Sequence, residues 1–105
     1  MNIKQIRYFA AVVEHGSLTA AAKDLYVTVQ AVSKAIADLE RELGQRLFVR
    51  ESRGMRPTPF CQEFGKKALD VIAGFDRLEA FARSYGEGGG LPARPRPALN
   101  HPAFP

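Results

Sequence analysis

Residues 28–44 read TVQAVSKAIADLERELG, and the interpretation of the whole chain starts from this stretch. Thr28 is a good N-cap, and Gly44 can end a helix in a left-handed conformation. Between them, apolar side chains recur at steps of four, three and four residues, which is the period of one face of an α-helix. These side chains are Val32, Ile36, Leu39 and Leu43. The stretch therefore predicts an amphipathic helix.

The opposite face of this helix is short or polar. It carries Gln30, Ser33, Lys34 and Ala37. Such a face suits a helix that lies in a groove, but an ordinary solvated face has the same composition. Taken alone, the helix leaves both interpretations open.

Two helices are predicted before this one. The first is capped by Asn2 and ended by Gly16, and the second is short, Ala-rich and capped by Ser17. Their apolar residues follow helical spacing: Ile3, Ile6, Phe9, Ala10 and Val13 in the first, and Leu18, Ala21, Ala22 and Leu25 in the second. Small side chains on the second helix let a neighbour pack closely, so a tight two-helix corner is expected.

A small hairpin, or wing, is predicted after the third helix. Residues 45–50 contain β-type side chains, and residues 55–58 form a short partner across a turn that includes Gly54. Four arginines, at 46, 50, 53 and 56, oppose the single acid Glu51. A basic run is commonly only solvated, but on a protruding hairpin beside a polar helix it favours phosphate and groove contact.

A long helix follows, because Thr58 can cap it and Pro59 suits its first position. Its apolar pattern lasts for about 25 residues, more than a small three-helix domain is expected to cover. A symmetric dimer is therefore predicted, and the alternative is that the helix folds back on its own domain. The predicted dimerisation residues are Phe64, Ala68, Val71, Ile72, Phe75 and Leu78.

Composition limits the remaining possibilities. The 105 residues suffice for one small domain, and a net charge of +4 favours a polyanionic partner. One cysteine and two histidines exclude an internal disulfide and a four-ligand zinc site, which fits a reducing compartment. The apolar run 8–13 is too short for a signal peptide or a membrane span. Residues 86–105 are rich in Gly and Pro and are expected to be a disordered tail.

The sequence contains no pattern typical of an enzyme. His15 and His101 lie far apart along the chain, and no spacing suggests a nucleophile with its base or a phosphate-binding loop. Glu40 and Glu42 fall on different helix faces, and each is expected to form a surface pair with Arg41 or Arg46, worth roughly 0.2–1 kcal/mol. We therefore expect no catalysis, no cofactor and no metal.

Four motifs in register resemble the N-terminal winged helix-turn-helix domain of the LysR-type transcriptional regulators. They are IRYF at 6–9, GSLTAAA at 16–22, VSKAI at 32–36 with LE at 39–40, and LGQRLFVR at 43–50. The resemblance extends over residues 1–85. It implies a mainly α fold of three helices and a two-stranded wing (1–58), a linker and dimerisation helix (59–85) and the tail (86–105).

The resemblance also implies a function: sequence-specific binding of double-stranded DNA by a cytoplasmic, nucleoid-associated bacterial regulator of transcription. The third helix would enter the major groove and the wing an adjacent minor groove. The matching DNA-binding positions are Thr28, Gln30, Ser33, Lys34 and Arg53. A homodimer would bind an interrupted inverted repeat, and RNA polymerase is a candidate further partner.

The chain departs from the family at three positions and in length. Val29 stands where Gln is common, Gln30 where Pro or Ser is common, and Cys61 where Gly is usual, so Gln30 is expected to take over part of the readout. Cys61 is expected to be a small buried side chain. The family's effector-binding domain is not in the sequence, so no small-molecule effector is expected. The sequence leaves open whether the chain is naturally short, truncated or engineered.

A second function stays open at this point. The long helix from Pro59 to Tyr85 could pair with a full-length regulator and inactivate it as a mixed dimer. DNA binding would depend on Lys34 and Arg53, whereas the mixed-dimer function would depend on Val71 and Phe75.

Overall fold

The computed structural model describes the backbone of residues 1–89 and the side chains of residues 1–85. The elements are α1 (Ile3–His15), α2 (Leu18–Leu25), α3 (Val29–Leu43), β1 (Phe48–Glu51), β2 (Gly54–Pro57) and α4 (Pro59–Gly89). Their order is that of a winged helix-turn-helix domain followed by a long helix, so the predicted mainly α fold is confirmed.

The first three helices begin at the predicted caps. Asn2 Oδ1 accepts a hydrogen bond from Gln5 N at 2.8 Å, and Gln5 Oε1 accepts one from Asn2 N at 3.2 Å, which makes a reciprocal capping box. Ser17 Oγ accepts from Ala20 N at 3.1 Å. These bonds satisfy backbone donors that the first turn of a helix leaves without partners.

The helices end with residues in the left-handed conformation. Gly16 and Gly44, with φ values of 64° and 68°, end α1 and α3 as predicted. Tyr26 occupies the same position at the end of α2, with φ 60°. A bulky side chain is rare in this conformation, and the Tyr26 side chain is 94% exposed, so core packing does not stabilise it there.

The wing is an antiparallel pair joined by a two-residue turn, Ser52 and Arg53, because Glu51 pairs with Gly54. The predicted turn included Gly54, and the predicted second strand included Thr58. Both boundaries are one residue too far along the chain, since Thr58 leaves the strand to cap α4. Its Oγ1 accepts from Cys61 N at 3.0 Å and donates to Arg46 O at 2.7 Å.

The core lies where α1, α2, α3, the wing and the start of α4 meet. Phe9 is 1% exposed, and its ring contacts Phe48 and Phe64 at centroid distances of 5.8 and 5.2 Å. The largest fully buried side chains are Phe9, Leu39, Leu47, Val12, Val32 and Cys61. The wing is therefore joined to the helices through its first strand.

The chain divides into two units, of which the first is Met1–Gly74 and the second begins at Phe75. The predicted boundary at residue 58 falls inside the first unit. The reason is that α4 contributes Phe60, Phe64, Ala68 and Ile72 to the packing around the core. Helix α4 also continues to Gly89, past the predicted end at residue 85. The rest of the predicted tail, 90–105, lies outside the described residues.

Candidate nucleic-acid interface

One face of α3 is buried and the other is solvent-exposed, as the spacing predicts. Val32, Ile36 and Leu39 are 0–5% exposed. All four predicted contact residues of this region lie on the exposed side: Thr28, Gln30, Ser33 and Lys34. The face is thus open to a ligand along the N-terminal half of the helix.

Thr28 has a second task at the start of α3. Its Oγ1 accepts a hydrogen bond from Ala31 N at 3.0 Å, which caps the helix. The hydroxyl hydrogen is still available to donate to an acceptor such as a phosphate oxygen. Val29 is 36% exposed beside it and offers only an apolar surface.

Lys34 is ion-paired within α3. Its Nζ lies 2.8 Å from Asp38 Oδ2, one turn further along the helix, and Arg41 donates to Asp38 Oδ1. The hydrogen bond from Lys34 is the main cause that lowers the pKa of the Asp38 carboxyl below its usual value, so this group is ionised near neutral pH. Our sequence analysis missed Asp38, although its i,i+4 spacing from Lys34 was a usable signal.

The four arginines of the wing region are not equivalent. Arg56 pairs with Glu51, and Arg46 lies 3.8 Å from the Glu40 carboxylate. The side chains of Arg50 and Arg53 are exposed and form no hydrogen bond or ion pair with any other residue that the structure describes. The cations open to an anionic ligand are therefore Arg53, at the predicted wing tip, and Arg50, which our sequence analysis did not single out.

The exposed face of α3 and the wing line one cleft. Ser33 and Ala37 contribute from the helix, and Arg50 and Met55 contribute from the two paired strands. Arg50 is the strand neighbour of Met55, which orients it toward the cleft. A polar helix face and an unpaired arginine therefore meet at one concave surface.

Besides the packing of Phe48 on Phe9, two hydrogen-bonded contacts with the helical part hold the wing in this position. Met55 N donates to Gly16 O at 3.1 Å, in the turn between α1 and α2. A Cβ built on Gly54 would lie 2.5 Å from that same oxygen, and Gly54 has φ 126°, so glycine is required at this close approach.

Glu40 supplies the second contact, and this corrects its predicted role. Its Oε2 accepts from Leu47 N at 2.6 Å and from Phe48 N at 3.3 Å, so it caps the start of β1 and is not merely a surface partner of Arg46. Glu42 pairs with the N-terminal ammonium of Met1 at 2.7 Å, and not with the predicted arginines.

The predicted dimerisation residues fall into two groups. Phe64, Ala68 and Ile72 pack against the core of their own chain, as the folding-back alternative describes. Val71 and Leu78 are 55% and 63% exposed. Phe75 is half-buried and makes contacts of its own. Further exposed apolar side chains of α4 are Leu69, Phe81 and Tyr85.

The described residues contain two further sets of reactive groups. Cys61 is buried, as expected, and burial raises the pKa of its thiol to about 11. Glu14, His15 and Asp24 are exposed, and their ligand atoms lie within 4.8 Å of one another, a cluster that the sequence analysis missed. No helix among the described residues is long and apolar enough to cross a membrane.

Comparison with known proteins identifies this architecture. The family of bacterial regulatory helix-turn-helix proteins of the LysR type matches residues 3–62, more than half of the chain. The chain belongs to the LysR family. This LysR-family chain is 43% identical over 87 residues to the nitrogen assimilation regulatory protein nac of Klebsiella aerogenes, covering 83% of the chain and 28% of that protein. It is 35% identical over 83 residues to the regulator BenM of Acinetobacter baylyi, covering 79% and 27%.

Solved structures agree with this assignment. The LysR-family chain matches the DNA-binding domain of CbnR in complex with DNA, with a TM-score of 0.76 and 31% identity, covering 82% of this chain and 99% of that one. It matches the DNA-binding domain of BenM in complex with catB site 1 DNA with a TM-score of 0.78 and 34% identity, covering 82% and 97%. The chain spans less than a third of the length of the two curated relatives described above.

Proposed function

We propose that this chain binds double-stranded DNA sequence-specifically, with α3 in the major groove and the wing in an adjacent minor groove. The observation that carries the proposal is the shared cleft, since Ser33 of α3 and Arg50 of the wing line one concave surface. The DNA complexes of the CbnR and BenM domains support it, and they favour it over the mixed-dimer function.

Each contact residue has a role that fits its chemistry. Gln30 presents a donor and an acceptor to a base edge, while Ser33 and the hydroxyl of Thr28 donate to phosphate or base oxygens. Arg53 enters the minor groove, where a narrow groove has an enhanced negative potential. Arg50 lies on the wing side of the cleft and Ser33 lies on its α3 side. Arg50 therefore contacts a phosphate between the two grooves.

The DNA-binding role is tested by neutralising one cation at a time. Lys34→Ala and Arg53→Ala should each weaken binding. Arg53→Ala should also lower the slope of log affinity against log salt by about one unit, because the Arg53 cation has no acidic partner among the described residues. Lys67→Ala is the matched control, because Lys67 is an exposed lysine of α4 without a partner among the described residues. Fluorescence anisotropy on one duplex at several salt concentrations measures the slope. Equal slopes for Arg53→Ala, Lys67→Ala and wild type would refute the proposal.

Gln30 is proposed to read a base in place of the glutamine that Val29 replaces. Gln30 is exposed on the same face of α3 as Ser33. Gln30→Ala should therefore change which base is preferred at one operator position, because a lost base-edge contact is worth about 1–3 kcal/mol of discrimination. Binding across a randomised operator library measures this preference. A uniform loss of affinity with unchanged base preference contradicts the assignment.

The protein is further proposed to act as a homodimer on an interrupted inverted repeat, with half-sites about one helical turn or a multiple apart. Support comes from Val71 and Leu78, which stay exposed while other apolar residues of α4 are used in the core. Val71→Glu should give a monomer in sedimentation. Ala73→Glu, at an exposed position on another side of the helix, should leave the dimer intact. Dimers that persist in Val71→Glu would contradict this surface.

As a bacterial regulator of transcription, the protein would act in the cytoplasm on nucleoid DNA. RNA polymerase is the natural further partner of such a regulator once it is bound near a promoter. Protection of promoter DNA by the purified chain tests whether it binds near a promoter. The same experiment with polymerase added tests the contact with polymerase. A footprint that polymerase leaves unchanged in extent and strength argues against the polymerase contact.

A further inference from the structure

Asp38 is the acidic partner of the exposed face of α3. Its side chain is 28% exposed, whereas the Lys34 side chain that it holds is 76% exposed. The second carboxylate oxygen accepts from Arg41, one turn further along the helix. A single carboxylate thus binds two cations, one of which belongs to the proposed DNA contact.

Asp38 differs in charge from the other residues that line the cleft beside this pair. Lys34 and Asp38 line a cleft to which α1 contributes Lys4 and Gln5. Among the described residues that line this cleft, Asp38 is the one carboxylate. A negative group at this place opposes the approach of a phosphate, although the rest of the cleft would attract one.

Asp38 also leaves Lys34 chemically competent. A lysine ammonium has three N–H donors, and the hydrogen bond to Asp38 Oδ2 uses one of them. Two donors are left for acceptors such as N7 and O6 of a guanine. Because the pair already orders a flexible side chain, less conformational freedom is lost when Lys34 meets those acceptors.

These properties distinguish correct from incorrect DNA. On a duplex without matching acceptors, an unrestrained lysine would turn to the nearest phosphate oxygen, which is the usual source of non-specific affinity. Asp38 competes for the same ammonium and repels that phosphate. On the matching operator, Lys34 donates to the base edge while it still contacts Asp38, so the pair need not break.

We propose that Asp38 is a positioning residue that sets sequence discrimination, by holding Lys34 toward the bases and away from the phosphates. The inference rests on the proposed role of α3 in the major groove. It concerns the ratio of the affinities for two DNA sequences, and not whether DNA is bound.

The test compares a duplex selected from a random library by the wild-type protein with a scrambled duplex of equal length. In Asp38→Asn, affinity for the scrambled duplex should rise about five- to tenfold and affinity for the selected one at most about twofold, so the ratio falls at least about threefold. The salt slope on scrambled DNA should steepen by about one unit. Asp38→Ala removes the same carboxylate with a better helix former and should behave alike. Asp38→Glu, which keeps the charge, should retain most of the ratio.

Two further variants separate this mechanism from a general effect of charge or folding. Glu63→Gln changes the net charge by the same amount at an exposed position of α4 with no partner among the described residues, and should leave the ratio unchanged. In a Lys34→Ala background, Asp38→Asn should no longer alter the ratio, because the side chain that it positions is gone.

The outcomes are distinct. A wild-type protein that discriminates, together with an Asp38→Asn ratio within twofold of wild type, overturns this inference and leaves DNA binding intact. An equal fall in the ratio for Glu63→Gln also overturns it. A wild-type protein that binds selected and scrambled duplexes equally overturns both this inference and the proposed function.

Discussion

Replacing Glu40 by alanine removes the acceptor that ties the first strand of the wing to α3. Its Oε2 accepts from Leu47 N at 2.6 Å and from Phe48 N at 3.3 Å, and the side chain is 21% exposed. Both donors belong to buried residues, with Leu47 0% and Phe48 2% exposed. In Glu40→Ala, two backbone amides therefore lose their acceptor where water has little access.

The size of the loss follows from these contacts. A hydrogen bond to a charged acceptor contributes about 1.5–3 kcal/mol, and the longer of the two bonds falls at the low end of that range. Partial exposure of the carboxylate reduces the total, so we expect the free energy of unfolding to fall by about 2–4 kcal/mol. A surface pair with Arg46 would account for only about 0.2–1 kcal/mol.

Urea unfolding followed by far-ultraviolet circular dichroism measures this difference. Glu40→Gln keeps a neutral acceptor and should lose about half as much as Glu40→Ala. Arg46→Ala should cost less than about 1 kcal/mol, and Glu42→Gln, which breaks an exposed pair with the N-terminus, less than about 0.5 kcal/mol. If Glu40→Ala costs no more than Arg46→Ala, the capping role assigned to Glu40 is wrong.

Three further predictions concern the backbone and the buried thiol. Gly54→Ala should lower the free energy of unfolding by about 2–3 kcal/mol in urea and weaken DNA binding, because the new Cβ would meet Gly16 O and the wing would have to move. Unchanged stability contradicts this prediction. Tyr26→Gly should stabilise the domain by about 0.5–1 kcal/mol, since the strain at φ 60° is relieved without loss of packing, and a lower melting temperature would argue against it. The pKa of the Cys61 thiol is raised in the folded protein to about 11 from 9.0, so its contribution to stability is fully present below pH 9 and is lost as the pH rises toward 11. Wild type should therefore lose more stability than Cys61→Ala over that range of pH, and parallel pH profiles would contradict this.

The candidate site was only partly accessible from the sequence. Exposure of Ser33 and Lys34 follows from the spacing of the apolar residues of α3, and Arg53 falls at the turn of a predicted hairpin. Arg50 is distinguished only in the folded structure, where Arg46 and Arg56 pair with Glu40 and Glu51 and the Arg50 side chain forms no ion pair with a described residue. Which arginine is neutralised depends on where each acid lies in space.

The same division holds for α4. Its start at Pro59 follows from the local cap. Its periodic apolar residues, however, fall into two groups, one packed in the core and one exposed to solvent. Ala68 is 4% exposed and Leu69, the next residue, is 61% exposed. Helical periodicity shows that a face is apolar and cannot identify its partner, so core and candidate dimer residues were grouped together.

The sequence by itself determined where the first three helices begin and where α1 and α3 end. Asn2, Ser17 and Thr28 cap amides only three residues away, and glycine is favoured at a left-handed helix end. Only the tertiary structure decided that Glu40 caps a strand seven residues on and that Gly54 must be a glycine. The first kind of interaction is fixed by the geometry of one helical turn. The contacts of Glu40 and Gly54 form only once the wing has packed against the helices, so they depend on how distant parts of the chain are arranged in space.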